Sequence, residues 1–384
     1  AAGLLAIAAP ARANTFAWAT ANDILGLDPH ANNHGVTNAM KLNVYEPLVR
    51  READGSLSPG LATRWEMVTP TTWRFHLRPD VRFHGGEAFS SADVVHSIER
   101  VRQNDMAYTV QSITAARATD PLTVEIDTRG PNPVLLQDLT LFFITSRAWI
   151  EANNAFSVAR AGQPGATTTF VQLNANGTGP YRLVSRQPDI KTIWKKNDAW
   201  WGKHEGNVTS VTYTSIKNDS TRVAALISGE VDFILDPPPQ DIERLEKTAN
   251  IKVVNGVENR VVFIGMDQAR DELLYSSVKG KNPFKDKRVR QAMYQSIDIE
   301  AIKTKLMRNQ AFPTGGITPS PLGAFNDTAI EKRRPFDVAA ANKLMAEAGY
   351  PQGFEVTLNC PNNRYINDEK ICLALAAMWA KINV

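Results

Sequence analysis

Six histidines, two cysteines and 40 acidic residues are the groups in this 384-residue chain with the most direct chemical uses. His30 and His34 stand four apart, the spacing at which a helix offers two imidazoles to one metal ion. No H-E-x-x-H pattern accompanies them, and Pro29 beside a glycine-containing loop argues against a shared helical face. Cys360 and Cys372 are far from the histidines and lack the spacing of a zinc site. No G-x-S-x-G elbow presents a nucleophilic serine. Gly177-Thr178-Gly179 lacks the Gly-Lys-Ser/Thr that completes a phosphate loop. The carboxylates are scattered, and no pair marks itself as acid and base. His76, His84 and His96 fall on strand, loop and helix positions, where solvated or hydrogen-bonded imidazoles are the ordinary outcome. The expectation is a protein that is not an enzyme and uses no cofactor or metal, with a secreted hydrolase as the remote alternative.

The elements that carry these residues are clearest at Thr72–Val101. Trp73, Phe75 and Leu77 alternate with Arg74, His76 and Arg78, the period of a half-buried strand. A turn follows at Gly85-Gly86. Ser90 or Ser91 then caps a helix with Asp93 in its first turn and Val94, Val95, Ile98 and Val101 as its apolar stripe. Upstream, a strand is expected at Thr15–Ala19 and a helix at Ala39–Leu48, stopped by Pro47. Downstream come a strand at Leu122–Ile126, an apolar helix at Val134–Leu141 and a polar surface excursion at Ala161–Asn176. Tyr181–Ser185 and Lys191–Lys195 form a hairpin about Pro188-Asp189, and a helix capped by Asp219 or Ser220 ends at Gly229. Strands follow at Val231–Leu235 and Val261–Met266. A long helical segment spans Asp286–Met307 with an irregularity near Asp298, and another begins at Asp337 and stops at Gly349. Phe354, Val356, Leu358 and Cys360 alternate as a strand, and Ile371, Leu375, Met378 and Ile382 share one helical face. A strand, a helix and the start of a further strand make a βαβ unit whose second strand would lie past Val384.

Composition sets outer bounds. The length suits two to three domains, and a formal charge of +3 gives no reason to invoke nucleic acid or an anionic membrane. Ala1–Ala9 is small and apolar, and Ala11-Arg12-Ala13 fits the A-x-A cleavage pattern, so the N-terminus reads as the end of a secretory signal. No cysteine follows that site to anchor a lipid, which favours a soluble periplasmic protein. Export makes a Cys360–Cys372 bridge possible; two unpaired buried thiols are the alternative, and slightly the preferred one.

Several of these segments, in this order, resemble the family 5 extracellular solute-binding proteins, the dipeptide, oligopeptide and nickel receptors of ABC importers. The resemblance runs through Leu27-Asp28-Pro29-His30, Val44-Tyr45-Glu46-Pro47-Leu48, Leu57-Ser58-Pro59-Gly60-Leu61-Ala62 and the Thr72–Val101 segment. It continues through Gly177-Thr178-Gly179-Pro180-Tyr181, the Asn218–Ile234 unit, Asn282-Pro283-Phe284 to Ile302, and Ala348-Gly349-Tyr350-Pro351. It implies an α/β, two-lobed periplasmic-binding-protein type II fold with an extra domain, its C-terminal part missing here. By the resemblance, domain I occupies 14–53 and 178–268, domain II 54–177, and an incomplete domain III 269–384, after a signal remnant at 1–13. The implied partners are a small solute, most readily a di- or oligopeptide, and an ABC membrane permease, with a monomer as the default. An opine, sugar, glutathione-like compound or metal chelate is the alternative cargo.

The same resemblance names candidate contacts. In oligopeptide receptors an acid-Gly-Val triplet meets the peptide main chain; the loop Asn33-His34-Gly35-Val36 matches it at Gly35 and Val36, with His34 in place of the acid. The glycine lets a ligand backbone come close. Tyr108 lies where relatives present an aromatic side chain, and Met266 and Asp267 follow the Val261–Gly265 strand near the expected crossing between lobes. Asp267 either meets a ligand amine or caps a turn. The aspartate that pairs with a peptide's amino group in such receptors would fall past Val384. Leu136-Gln137-Asp138-Leu139-Thr140-Leu141 is followed by Phe142-Phe143 where the nickel branch has an arginine, which lowers nickel as cargo.

Overall fold

The computed structural model describes residues 14–159, 168–256, 260–318, 328–362 and 364–384; the signal reading at 1–13 and residues 161–167 of the surface excursion lie outside them. The chain divides into two compact units, one running to residue 216 with 230–233 added, the other made of 217–229 and 234–384.

The first unit holds strands β1 (Thr15–Thr20), β2 (Val49–Arg51), β3 (Leu57–Pro59), β4 (Ala62–Thr69), β5 (Thr72–Leu77), β6 (Ile113–Asp120), β7 (Thr123–Thr128), β8 (Tyr181–Gln187), β9 (Lys191–Lys196) and β10 (Ser210–Ser215). Its main helices are α1 (Gly35–Lys41) and α2 (Ser91–Val101). β1 runs parallel to β10, and β10, β9 and β8 continue the sheet antiparallel, with the short strand Phe233–Ile234 along the outer edge of β1. On this sheet Met40, Val44, Tyr45, Trp194 and Tyr213 form one core. The second sheet, in the order β4-β5-β7-β6, is antiparallel throughout. Its inner face buries Phe75, Leu77, Val124 and Ile126 against Val94, Ile98 and Val101 of α2. Its outer face carries Arg74 and Arg117 paired to Glu125, as expected of a sheet with one dry and one wet side. Ser90 and Asp93 form the expected capping box, with the Ser90 N–H donating to Asp93 Oδ2 at 2.8 Å.

The second unit is mostly helical. Lys287–Gln295, Val338–Glu347 and Asp368–Trp379 bury Val289, Met293, Ala341, Met345, Leu375 and Trp379 together. The Trp379 indole N–H donates to the Met293 carbonyl at 3.0 Å. The irregularity expected near Asp298 is present: Asp298 caps a new turn at Ile299–Ala301, and Ile302–Leu306 widens into a π-turn.

Four expectations are corrected. The helix placed at Ala39–Leu48 is Gly35–Lys41 instead. It stops early because the Asn43 and Val44 carbonyls accept the N–H groups of Tyr181 and Gly179, so tertiary pairing replaces the helical ladder. Val261–Met266 forms no strand; Val262 and Phe263 are exposed, and no ladder runs beside them among the described residues. The Phe354–Cys360 strand is reduced to one bridge, Ser276 to Val356. Cys360 and Cys372 are joined in a disulfide, Cα atoms 6.4 Å apart, rather than left as free thiols, and Cys360 is exposed.

Candidate functional site

A frame of fully buried charge holds residues 28–32. Arg100, near the end of α2, donates from Nη1 and Nη2 to the two Asp28 oxygens at 2.8 and 2.7 Å. Its Nε donates to the Ala155 carbonyl at 3.1 Å. Arg100 Nη1 also lies 3.0 Å from His30 Nδ1. A guanidinium only donates, so Nδ1 is the acceptor and the ring proton sits on Nε2, which gives it to the Phe143 carbonyl at 2.9 Å. Lys41, last residue of α1, donates from Nζ to the Asn32 carbonyl at 3.0 Å. Asp28, His30, Lys41 and Arg100 are all essentially without solvent contact. Burial pushes the Asp28 carboxyl up, but the Arg100 bonds and charge outweigh it and hold the group below its ordinary value. Burial, with Arg100 beside it, lowers the His30 imidazole to about 3. Burial likewise lowers the Lys41 ammonium to about 8, opposed by the Asp28 charge.

Directly beyond this frame lies the candidate stretch. Asn33 and Gly35 are exposed, His34 and Val36 half-buried. The loop expected from sequence is instead the head of α1: His34 is the N-cap with extended backbone, and Gly35 and Val36 open the first turn. Asn33 Oδ1 accepts from Asn38 Nδ2 at 2.9 Å. Thr37 Oγ1 accepts the Leu25 N–H at 3.1 Å and lies 3.3 Å from His34 Nδ1. With both His30 nitrogens engaged by Arg100 and Phe143, His30 and His34 do not form a metal pair.

Tyr108 sits in the short two-turn 3-10 helix Asp105–Val110 of the same unit, half-buried against the α2 core. Burial raises its phenol, helped by the nearby Asp138 charge and opposed by Arg51. Met266 and Asp267 belong to the other unit. Met266 packs on the helical core. Asp267 takes the turn-capping role: it accepts the Ala269 and Arg270 N–H groups at 3.0 and 3.2 Å and pairs with the Arg270 guanidinium. The Arg270 bond is the main reason its carboxyl falls below the usual range.

A cavity of about 740 Å³ opens on the first unit beside Glu46, Arg50, Arg51, Tyr181, Trp200 and His204. Glu46 is buried at its edge and accepts from Trp201 Nε1 and Thr178 Oγ1, both at 2.8 Å, and from Trp200 Nε1 at 3.3 Å. Burial raises the Glu46 carboxyl despite these donors. Two sequence motifs, Val44–Leu48 and Gly177–Tyr181, are thereby joined by a side-chain bond. Arg78 lies 3.8 Å from the centre of a Trp201 ring, adding a cation–π contact to the same hook.

The sequence profile of bacterial extracellular solute-binding proteins, family 5 Middle, matches residues 56–384. The chain belongs to that family. The dipeptide-binding protein of Escherichia coli K12 is 25% identical over 409 residues, covering 99% of this chain and 72% of its own length. A solved structure of the ABC transporter-associated periplasmic binding protein DppA from Helicobacter pylori, in complex with the peptide STSA, is 25% identical with a TM-score of 0.78, covering 96% of this chain and 72% of that one. The binding protein AgaA of A. tumefaciens R10, in complex with agropinic acid, is 26% identical with a TM-score of 0.77, covering 96% and 71%. The α/β type II periplasmic-binding-protein fold and a solute-binding role for an ABC importer follow for this family 5 protein. Members of the family are periplasmic solute-binding proteins. Among the described residues no helix is long and apolar enough to cross a membrane, and no three His, Cys, Asp or Glu side chains are grouped to hold a metal.

The sequence reading did not single out Arg100, Lys41, Glu46, Trp200 or Trp201. The available signal was positional. Asp28 and Glu46 are carboxylates inside otherwise apolar motifs, and Arg100 lies between Ile98 and Val101 at the inner end of an apolar stripe. A buried charge in such a place requires a partner, and the partners are these residues.

Proposed function

We propose that this family 5 protein captures a di- or oligopeptide, releases it unaltered to an ABC permease, and catalyses no reaction. The observation that carries this reading is the exposed Asn33–Val36 stretch at the head of α1, set on a buried frame that fixes its backbone, in a fold shared over 96% of the chain with a peptide-bound relative. An exposed glycine at such a point admits a peptide main chain closely. Asn33, His34, Gly35, Val36 and Tyr108 are the contacts assigned to the first unit and Met266 that assigned to the second; Asp267, whose carboxylate is taken up by its own turn and by Arg270, would meet solute only by exchanging the Arg270 pair for a ligand amine. The reading includes the division into domain I (14–53 and 178–268), domain II (54–177) and domain III (269–384), export by a cleaved signal at 1–13, and a monomer in the periplasm. Capture is by closure of two lobes, to the extent that the solute binds the closed form better than the open one.

A second reading, an opine as cargo, is favoured by His34 standing where peptide receptors carry an acid, and by the 26% identity to the agropinic acid protein. Isothermal titration with a set of dipeptides and with agropinic acid separates the two. Saturable peptide binding in the micromolar range or tighter, worth about 8 kcal/mol or more, supports the first. Binding of agropinic acid alone replaces it with the second.

A further inference from the structure

Lys41 is an expensive residue for its position. Its side chain is fully buried, and the carboxylate nearest in charge, Asp28, is already gripped by both terminal nitrogens of Arg100. The charged and titratable groups of its cluster are Asp28 and His30 from the 28–32 segment, Arg100 from α2, which grips Asp28, and Tyr45, whose backbone N–H donates to the Lys41 carbonyl. With His30 neutral, the cluster contains one anion and two cations, so one buried positive charge is only partly compensated. A methionine of similar length would fill the same space without that desolvation cost. The short contact made by the ammonium is its bond to the Asn32 carbonyl, one residue before Asn33.

We infer that Lys41 is a positioning residue, a buried ammonium kept at a cost in stability because it anchors the Asn32 carbonyl and thereby sets the Asn33–Val36 stretch for solute. Lys41 works from inside the unit: it spans from the last turn of α1 back to Asn32, three residues before the helix begins at Gly35, closing the helix onto its own lead-in. Asn38 makes a parallel tie to Asn33 at 2.9 Å, so carbonyl and side chain of consecutive residues are both pinned from α1. The inference rests on reading Asn33–Val36 as part of the solute site.

A residue that only packs and a residue that positions give opposite signs when replaced. For the full chain carrying Lys41→Met, the melting temperature is expected to equal or exceed that of the parent. Deuterium uptake across residues 32–40 at pH 7 is expected to quicken roughly tenfold, the loss of one charge-assisted hydrogen bond. Affinity for the probe dipeptide Ala-Ala is expected to weaken by a similar factor. In the parent that affinity falls as pH rises through about 8, where the ammonium loses its proton, and in Lys41→Met this step is absent. Lys41→Gln, which retains an N–H donor without the charge, restores part of the exchange protection. Unchanged exchange across 32–40 overturns the inference, and so does a fall in melting temperature with exchange rising evenly through the unit. If the parent binds neither Ala-Ala nor any other peptide of the calorimetric set, the peptide reading fails, and the exchange comparison still decides the role of Lys41.

Discussion

Arg100 and Asp28 form a buried pair whose partners cannot be removed singly without leaving a bare charge. Arg100→Met is expected to lower stability by about 3–5 kcal/mol, read from urea unfolding, because Asp28 then stays buried without its cation. His30 gives the same cluster a defined pH response. Its folded value, about 3, lies below the ordinary value of 6.5, so between these limits the unfolded chain binds a proton that the folded chain refuses. The His30 contribution to stability is therefore fully present above pH 6.5 and is lost as pH falls through that window. The loss from this one group is roughly 3 kcal/mol between pH 6.5 and 4. Urea midpoints measured at those two pH values should show a smaller drop in His30→Asn than in the parent. An equal drop would assign the acid sensitivity to other groups, of which His84, lowered by burial to about 4, is the first to test.

At the scale of elements, glycines and a disulfide set close approaches that side chains cannot supply. A Cβ at Gly177 would stand 1.9 Å from the Val44 carbonyl oxygen, where the lead-in to β8 presses against the end of the α1 turn. Gly177→Ala should cost about 3 kcal/mol, at the upper end of overpacking changes, and the melting temperature reports it. The Cys360–Cys372 bridge closes a short loop, with a sequence separation of 12, ahead of and into the last long helix. Its removal in a Cys360→Ser, Cys372→Ser double variant should lower stability by about 2–3 kcal/mol on a loop-entropy estimate. No change would mean that the helix and its contacts with Met293 already fix this segment.

The elements that were legible in the sequence are those whose causes are local. Phe75 and Leu77 alternate with charged neighbours, Ser90 and Asp93 box the start of α2, Asp298 interrupts a helix, and Gly229 and Gly349 end two others with positive φ. Where long-range pairing decides, the local signal misled. α1 is cut short by bonds from Gly179 and Tyr181, more than 130 residues away in sequence. The alternation at Phe354–Cys360 and the apolar run at Val261–Met266 have the composition of strands, but a strand exists only with a neighbour to pair with. β10 was missed for the converse reason: Ser210–Ser215 is largely hydroxylated and only Tyr213 is fully buried, yet two strands flank it. Of the proposed contacts, Asn33–Val36 reads from sequence as a loop, whereas His34 caps α1 and Gly35 and Val36 open its first turn. The supports that matter to it, Arg100 and Lys41, come from positions whose burial a one-dimensional pattern does not reveal.

For the whole molecule, solute capture has a mass-action consequence and a chemical one. A solute that binds only the folded receptor must raise its apparent stability, by about 2.7 kcal/mol at a free concentration one hundred times its dissociation constant. A thermal-shift titration with the solute identified by calorimetry checks that figure. The chemical claim is that nothing happens to the cargo. Native mass spectrometry of protein purified without refolding, followed by release of whatever it carries, addresses this most directly. The account predicts a bound peptide population recovered at the masses with which it entered, and the same masses after prolonged incubation with added peptide. Fragments accumulating from an added peptide, or a single non-peptide mass in every preparation, would contradict it.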